Sequence, residues 1–134
     1  MDIVSGIHLI EEREGTGEPA KKGDHVVYNM RIFLNKGDEV PINEELANRG
    51  LPVEIIRKEG DRIFIDHRME LGRRRAIAGI EHSLIGMKPG GYRKVRVSPH
   101  LAYRDEGIPG LIPANAVLVI QIWLRGVRAD TTPR

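Results

Sequence analysis

The sequence has no cysteine and few aromatic residues, and both shortages limit what the protein can be. Without cysteine there are no disulfides, no thiolate nucleophile and no cysteine zinc site. Apolar runs are also short, and the longest, at residues 116–120, is only about a quarter of the length that spans a bilayer. We therefore expect a globular protein that makes no membrane contact. The aromatic residues are Tyr28, Phe33, Phe64, Tyr92, Tyr103 and Trp123.

Length and charge predict one ordinary domain. The chain has 134 residues, with 21 basic against 19 acidic side chains and a net charge of +2. This near balance gives no argument for a nucleic-acid partner. We expect a single domain over residues 1–128, with an enlarged hairpin or loop segment at about 40–70 and a flexible tail at 129–134. Because no basic segment followed by an apolar run opens the sequence, no export signal is expected and the cytoplasm is the predicted location.

The motifs of common catalytic and metal sites are missing. The five histidines never form an i, i+4 pair, so neither a metal nor another cofactor is predicted. The glycine-rich segment Gly86–Gly91 lacks the Gly-Lys-Ser/Thr ending of a phosphate loop, and no Gly-x-Ser-x-Gly elbow occurs. The arginines Arg73–Arg75 offer phosphate contacts, but successive side chains of an extended chain point to alternate sides, which favours a solvated edge. An enzyme with a nucleophile, an acid–base pair or a metal is therefore disfavoured.

Alternating and β-branched residues predict several strands and one short helix. The strands are expected near residues 6–14, 25–34, 53–57, 62–65, 92–97 and 116–127, the third and fourth of them forming a hairpin. One helical turn is predicted at Glu44–Asn48. Apolar residues recur at helical spacing over Gly79–Gly86, which predicts a short helix ended by Gly86. The loop Ser98–Pro113 is rich in glycine and proline, carries Tyr103, and is long enough to suggest a function.

A series of short motifs fills the second half of the chain. They are Leu71-Gly72, Ile77-x-Gly79-Ile80-Glu81, Leu84-Ile85-Gly86-Met87, Gly91-x-Arg93, Ser98-Pro99-x-Leu101-Ala102-Tyr103, Gly107-x-Pro109-Gly110 and Ile112-Pro113-x-Asn115-Ala116-x-Leu118-Val119. In order and spacing this series resembles the FKBP-type peptidyl-prolyl isomerases. The resemblance implies an α+β fold in which an antiparallel sheet of five or six strands curves around one short helix, with the site between helix and sheet.

The resemblance also implies a reaction that needs no catalytic side-chain charge and no cofactor. Rotation about a prolyl amide is opposed by loss of resonance, a barrier of about 18–20 kcal/mol. An apolar pocket lowers this barrier by taking the amide out of water, and hydrogen bonds hold the twisted conformer. By resemblance, the Ile77 N–H and the Tyr103 hydroxyl are the catalytic groups. The residues that would bind the substrate are Ala76, Ile80, Ile112, Ile120 and Met30.

Most departures from the family pattern fall in this pocket. Ile80 replaces the usual tryptophan of the floor, Ile120 replaces the usual phenylalanine of the last strand, and Arg104 replaces the glycine after the loop tyrosine. An ungapped alignment of the second predicted strand places Met30, Val40 and Pro41 where the family has tyrosine, phenylalanine and aspartate. A shift of two residues would place Tyr28 at the first of these positions. We therefore expect an aliphatic pocket with reduced or altered activity.

Three functions remain open at this stage. The first is a prolyl isomerase that acts in protein folding on X-Pro bonds of peptides and unfolded proteins, and that binds macrolide ligands with weak affinity. The second is a non-catalytic, chaperone-like FKBP module that binds proline-containing segments or a partner protein, and its support is the replacement of the family's tryptophan and aspartate. For the site residues themselves the alternative is structural: Tyr103 would hold its loop, and Ile77, Ile80 and Ile120 would be ordinary core. The third, a nucleic-acid-binding module, rests on Arg73–Arg75, Arg93 and Arg96 and has the least support.

Overall fold

A computed structural model of the chain describes residues 2–40, 56–59, 62–74 and 76–129. The predicted helical turn at Glu44–Asn48 and the aligned Pro41 lie outside these residues. Within them the chain forms nine strands, one α-helix and one 3-10 turn. The strands are β1 Asp2–Val4, β2 Ile7–Arg13, β3 His25–Leu34, β4 Glu39–Val40, β5 Ile56–Glu59, β6 Arg62–Ile65, β7 His67–Glu70, β8 Tyr92–Val97 and β9 Leu118–Arg128. The helix is α1 Ala78–Leu84, and the 3-10 turn is Pro99–Leu101.

Seven strands form one open antiparallel sheet in the order β1-β2-β8-β9-β3-β4, with β7 beside the first half of β3. The sheet therefore has more strands than the five or six expected. Three of its strands were not predicted: β1 and β4, which have only three and two residues, and β7, whose sequence His-Arg-Met-Glu lacks the apolar alternation that marks a strand. Strands β5 and β6 pair separately as a hairpin, as the sequence suggested for this segment. The α+β architecture of one short helix against an antiparallel sheet is confirmed.

The core lies between α1 and one face of the sheet. Along β9 the residues Leu118, Ile120, Ile122 and Leu124 are all fully buried, which is the two-residue period of a strand with one covered face. The facing positions on β3 are Ile32, Met30 and Tyr28, which pair with Ile120, Ile122 and Leu124 respectively. Cross-strand partners point to the same side of a sheet, so these β3 side chains look toward the helix.

Two contacts fix α1 against the sheet. A Cβ built on Gly79 would lie 2.5 Å from Val97 Cγ1 and 3.1 Å from the Leu101 carbonyl oxygen, so only glycine allows the helix to approach β8 this closely. At the other end, Arg93 Nη1 donates to the carbonyl oxygens of Ser83 and Ile85 at 2.8 and 3.2 Å. The guanidinium thus satisfies carbonyls that a helix end leaves unpaired. Among the described residues, no helix has the length and apolar character to cross a membrane.

A buried asparagine joins the hairpin to the sheet. Asn29 of β3 is 1% exposed, and its amide nitrogen donates to the Ile65 carbonyl oxygen at 2.9 Å and to Asp66 Oδ1 at 2.6 Å. Its amide oxygen accepts from Arg125 Nε at 2.6 Å. These bonds satisfy an amide that would be costly to bury alone, and they hold the end of β6 beside β3.

Candidate functional site

The loop after β8 is held by its own backbone. The Arg104 N–H donates to the Pro99 carbonyl at 2.9 Å, and the Asn115 N–H donates to the Arg104 carbonyl at 2.7 Å. Gly107 has φ +60°, and a Cβ there would lie 2.3 Å from the Ile112 carbonyl oxygen. The glycine is therefore required for the loop to close on itself. The length of the Ser98–Pro113 loop suggested a function. Its backbone hydrogen bonds give the loop a defined conformation, which fixes the position of Tyr103.

Tyr103 lies partly buried against the hydrophobic core. No other described residue forms a hydrogen bond with its hydroxyl. Burial raises the pKa of Tyr103 above its ordinary value near 10, because the phenolate would lose solvation. The hydroxyl is thus a neutral donor throughout the physiological range, available to a carbonyl oxygen.

Ile77 precedes the first residue of α1 and offers a second donor. Its backbone is extended, with φ −59° and ψ 150°, and its carbonyl oxygen accepts from the N–H groups of Ile80 and Glu81 at 3.0 and 3.2 Å. The Ile77 N–H donates to no carbonyl among the described residues. An unpaired backbone donor beside apolar side chains is suited to a substrate carbonyl, because an unsatisfied donor next to the core is otherwise costly.

The seven site residues predicted from the sequence all belong to, or pack against, one hydrophobic cluster. They differ in how much of each side chain a ligand can reach. Ile80, Ile112 and Ile120 are 2%, 4% and 0% exposed, so they form a floor beneath the surface. Ala76, Ile77, Met30 and Tyr103 are only partly buried and pack on that floor. The loop residues Ile108 and Leu111, to which the sequence assigned no role, occupy the same intermediate layer.

Tyr28 is the residue of this region that the ungapped alignment missed. It lies on the same face of β3 as Met30, and its side chain is 3% exposed. Burial raises the pKa of Tyr28, and the nearby Tyr103 and Glu81 raise it further. The two tyrosines are therefore close enough to interact electrostatically. The signal that could have found Tyr28 is the two-residue shift of the alignment, which places it at the tyrosine position of the family.

The described residues contain no group of three or more histidine, aspartate or glutamate side chains that could hold a metal ion. The donors at the site are thus an amide N–H and a phenol beside an aliphatic surface. Such an arrangement can bind an extended peptide and orient its carbonyl groups.

Comparisons with known proteins assign the chain to one family. Residues 16–125 match the family described as FKBP-type peptidyl-prolyl cis-trans isomerase. The chain is 32% identical over 128 residues to FK506-binding protein 4 of Chaetomium thermophilum, covering 96% of this chain and 23% of that protein. It is 28% identical over 126 residues to FK506-binding protein 1A of Neurospora crassa, covering 93% of this chain and 91% of that one.

A third relative has a higher identity and a similarly partial match. The 46 kDa FK506-binding nuclear protein of Spodoptera frugiperda is 38% identical over 128 residues, which cover 94% of this chain and 26% of that protein. The chain thus spans about a quarter of the Chaetomium and Spodoptera relatives but nine-tenths of the Neurospora one. The family match covers most of the chain, from the turn before β3 to the end of the core part of β9. On this evidence the chain belongs to the FKBP-type peptidyl-prolyl cis-trans isomerase family.

Proposed function

We propose that this protein catalyses cis–trans isomerisation of X-Pro bonds in peptides and unfolded proteins. The proposed pocket lies between the start of α1 and the Ser98–Pro113 loop. The observation that carries the proposal is the pair of donors, the Ile77 N–H and the Tyr103 hydroxyl, which have no partner among the described residues and border an aliphatic floor. A prolyl peptide offers both donors a hydrogen-bond acceptor, because it presents carbonyl oxygens beside an apolar ring.

The proposed mechanism uses these residues without any covalent step. The planar amide is stabilised by charge separation that water favours, so transfer to the apolar floor of Ile80, Ile112 and Ile120 weakens the planar form. The Tyr103 hydroxyl and the Ile77 N–H then donate hydrogen bonds to substrate carbonyl oxygens on either side of the rotating X-Pro bond. A hydrogen bond that contributes about 1 kcal/mol more in the twisted state accelerates rotation by about fivefold. Ala76 and Met30 would bound the proline ring.

An aliphatic floor also predicts limits on this activity. Isoleucine lacks the flat aromatic face against which a proline ring packs, so turnover is expected to be slower than with an aromatic floor, or to prefer different residues before proline. The relatives are named for binding FK506, and for this chain we propose that macrolides of that kind bind with weak affinity. The alternative is a module that binds proline-containing segments without turnover.

Isomerisation of short peptides that differ in the residue before proline tests the proposal. Acceleration for at least one peptide is expected, together with a lower kcat/KM in Tyr103→Phe. Tyr92→Phe is the matched control, because Tyr92 lies on the adjoining strand with its hydroxyl bound to Gln121 Nε2 at 3.1 Å rather than to the proposed pocket. If no peptide is accelerated but some bind, the non-catalytic alternative is correct. If Tyr103→Phe and Tyr92→Phe behave alike, Tyr103 has no catalytic role.

A further inference from the structure

A second cleft adjoins the proposed proline site. Its volume is about 600 Å³, and it lies between the start of α1, the turn after β7 and the beginning of the loop that carries Tyr103. Ala76, Ile77 and Ala102 contribute to its walls. Ile77 also belongs to the proposed proline site, and Ala102 directly precedes Tyr103. A peptide with its proline in that site would therefore carry its neighbouring residues toward this cleft.

The cleft is strongly basic. Lys22, Arg74 and Arg104 supply three permanent positive charges at its rim, and all three side chains are exposed. His82 and His100 also line it and add positive charge when protonated. Its single carboxylate is Glu81, which is 9% exposed and accepts a hydrogen bond from the Gly72 N–H at 3.2 Å. This negative charge is therefore largely buried and little exposed to a ligand. With both histidines neutral, the lining carries the same +2 charge as the whole chain.

These cations are available to a ligand. None of Lys22, Arg74 and Arg104 forms an ion pair or a side-chain hydrogen bond with another residue of the described part of the chain. Some basic residues elsewhere are paired, as Arg31 is with Glu39 and Lys88 is with Glu14, whereas Arg68 and Arg128, which line a different groove, have no ion-pair partner in the described part of the chain. The cleft brings together three cations that have no ion-pair partner among the described residues, and this local positive charge attracts anionic groups.

The backbone gives a second, independent observation. Three described residues other than glycine have a positive φ, and two of them are the cleft arginines Arg74 and Arg104, each at +55°. A side chain in this left-handed region is sterically strained, and glycine would remove that strain. Residues held in such conformations cluster at ligand-binding sites, where the strain fixes a needed side chain. Here both strained positions place a guanidinium at the rim of the same cleft.

From these observations we propose that the basic cleft binds an acidic side chain of the substrate, so that the protein prefers X-Pro segments with aspartate or glutamate near the proline. This inference rests on the proposed isomerase function and names its substrate class. Arg74 and Arg104 would bind the carboxylate through their planar donor forks, with Lys22 adding a point charge. Because the cleft shares Ile77 with the proposed proline site, we place the acidic residue within three positions of the proline, a length of about 10–11 Å of extended chain.

Paired peptides test the preference. Each pair differs only by glutamate or glutamine at one position within three residues of the proline. For at least one position we expect the glutamate peptide to have a kcat/KM about three to ten times that of its glutamine partner at low ionic strength, and the ratio to shrink toward one as salt screens the charges. A ratio of one at every position would overturn the proposal.

Two double variants locate the effect. Arg74→Asn with Arg104→Asn removes both charges and keeps a residue that tolerates positive φ. We expect the ratio to fall to about one in this variant. The matched control, Arg68→Gln with Arg128→Gln, also removes two charges, from exposed residues that line a different groove. The control should keep the wild-type ratio. If both double variants lower the ratio equally, the preference reflects overall charge and the cleft is not the site.

Binding measurements separate this inference from the proposed function. If no peptide is isomerised, the isomerase proposal fails. Titration of the same glutamate and glutamine peptides then decides the inference alone, because tighter binding of the glutamate peptide that disappears in the Arg74→Asn, Arg104→Asn variant supports an acidic partner. A single-stranded oligonucleotide is the competing probe. If it binds more tightly than any glutamate peptide and depends on the same two arginines, the cleft is a phosphate-backbone site and the proposal is wrong.

Discussion

The rings of Tyr28 and His67 stack across neighbouring strands, with their centroids 5.1 Å apart and their planes inclined by 22°. The two residues are directly paired in the register of β3 and β7. Tyr28 in turn lies near Tyr103, whose phenolate raises the pKa of Tyr28. The imidazole of His67, which lies outside the proposed pocket, thus packs on a tyrosine beside that pocket. Protonation of His67 should therefore change the stability of the fold.

This stack predicts that the protein loses stability in mild acid. Burial lowers the pKa of His67, an effect larger than the opposing attraction of Asp66. The unfolded chain, with an ordinary histidine pKa near 6.5, therefore binds a proton at a higher pH than the folded chain does. Between the two pKa values the unfolded state holds more protons, so the free energy of unfolding rises with pH. We expect that free energy, measured by urea unfolding, to fall as the pH drops below about 6.5.

His67→Phe keeps a ring on Tyr28 and removes the titrating group. Its stability should depend less on pH between 7.5 and 5 than that of the parent protein. His8→Gln is the control for loss of an exposed histidine, since the His8 side chain is about half exposed and contacts Asp2 rather than an aromatic ring. An equal slope in the parent and in His67→Phe would show that His67 does not control acid stability.

Arg104→Gly is expected to stabilise the fold. The Arg104 backbone has φ +55°, where a Cβ destabilises the folded state by about 1–2 kcal/mol, and glycine removes this strain. Glycine also gives the unfolded chain more backbone freedom, which offsets about 0.5–1 kcal/mol of the stabilisation. The net increase in unfolding free energy should be about 0.5–1 kcal/mol. Arg104→Ala is the control, because it removes the same guanidinium but retains the Cβ and its strain. If alanine stabilises the fold as much as glycine does, the gain comes from charge rather than from the backbone.

Gly79→Ala is expected to separate α1 from β8. The added Cβ would lie 2.5 Å from Val97 Cγ1, and Val97 is fully buried, so neither group can move into solvent. Overpacking of this kind costs about 1–3 kcal/mol of stability. It should also lower kcat/KM, because Ile77 stands at the start of the displaced helix. Gly126→Ala, where nothing lies within 4 Å of the new Cβ, should change stability by less than about 0.5 kcal/mol.

The sequence predicted most of the fold because its elements follow simple periodic patterns. Strand β3 begins and ends at the predicted His25 and Leu34, and β8 likewise at Tyr92 and Val97. Both are long or alternate clearly, so local residue preference and tertiary packing agree. Strand β7 escaped prediction since its residues are mostly polar, and it exists through its pairing with β3. Tertiary context creates such a strand, and a local pattern does not reveal it.

Prediction of the candidate site was limited by different physics. The pattern of glycines and prolines located the loop and Tyr103, because backbone constraints leave a direct trace in the sequence. Exposure leaves no such trace: Ile80 and Ile120 fit a pocket and a core equally well in sequence, and only the structure shows that both are buried. The basic cleft was also hidden, since Lys22, Arg74 and Arg104 are far apart in sequence and only folding brings them together.

The ionisation of Tyr103 sets an alkaline limit on the proposed activity. Burial raises its pKa above 10, and the same cause raises that of Tyr28, so both hydroxyls stay protonated through neutral and mildly alkaline pH. We therefore expect kcat/KM for an uncharged peptide to be flat from pH 7 to about 10 and to fall only above that, where the phenolate can no longer donate to a carbonyl. Stability should follow the same sign, because the folded state holds these protons more tightly than the unfolded chain and loses that advantage as the pH rises past 10.

Tyr103→Phe tests whether that alkaline limit belongs to the pocket. Removing one hydrogen bond should lower kcat/KM at neutral pH by about two- to twelvefold, and the alkaline decline should no longer precede unfolding. Circular dichroism over the same pH range shows where unfolding begins, so that loss of structure is not mistaken for loss of a donor. A decline in the parent protein centred well below pH 10 would contradict the assignment, because burial moves the pKa of Tyr103 upward from 10.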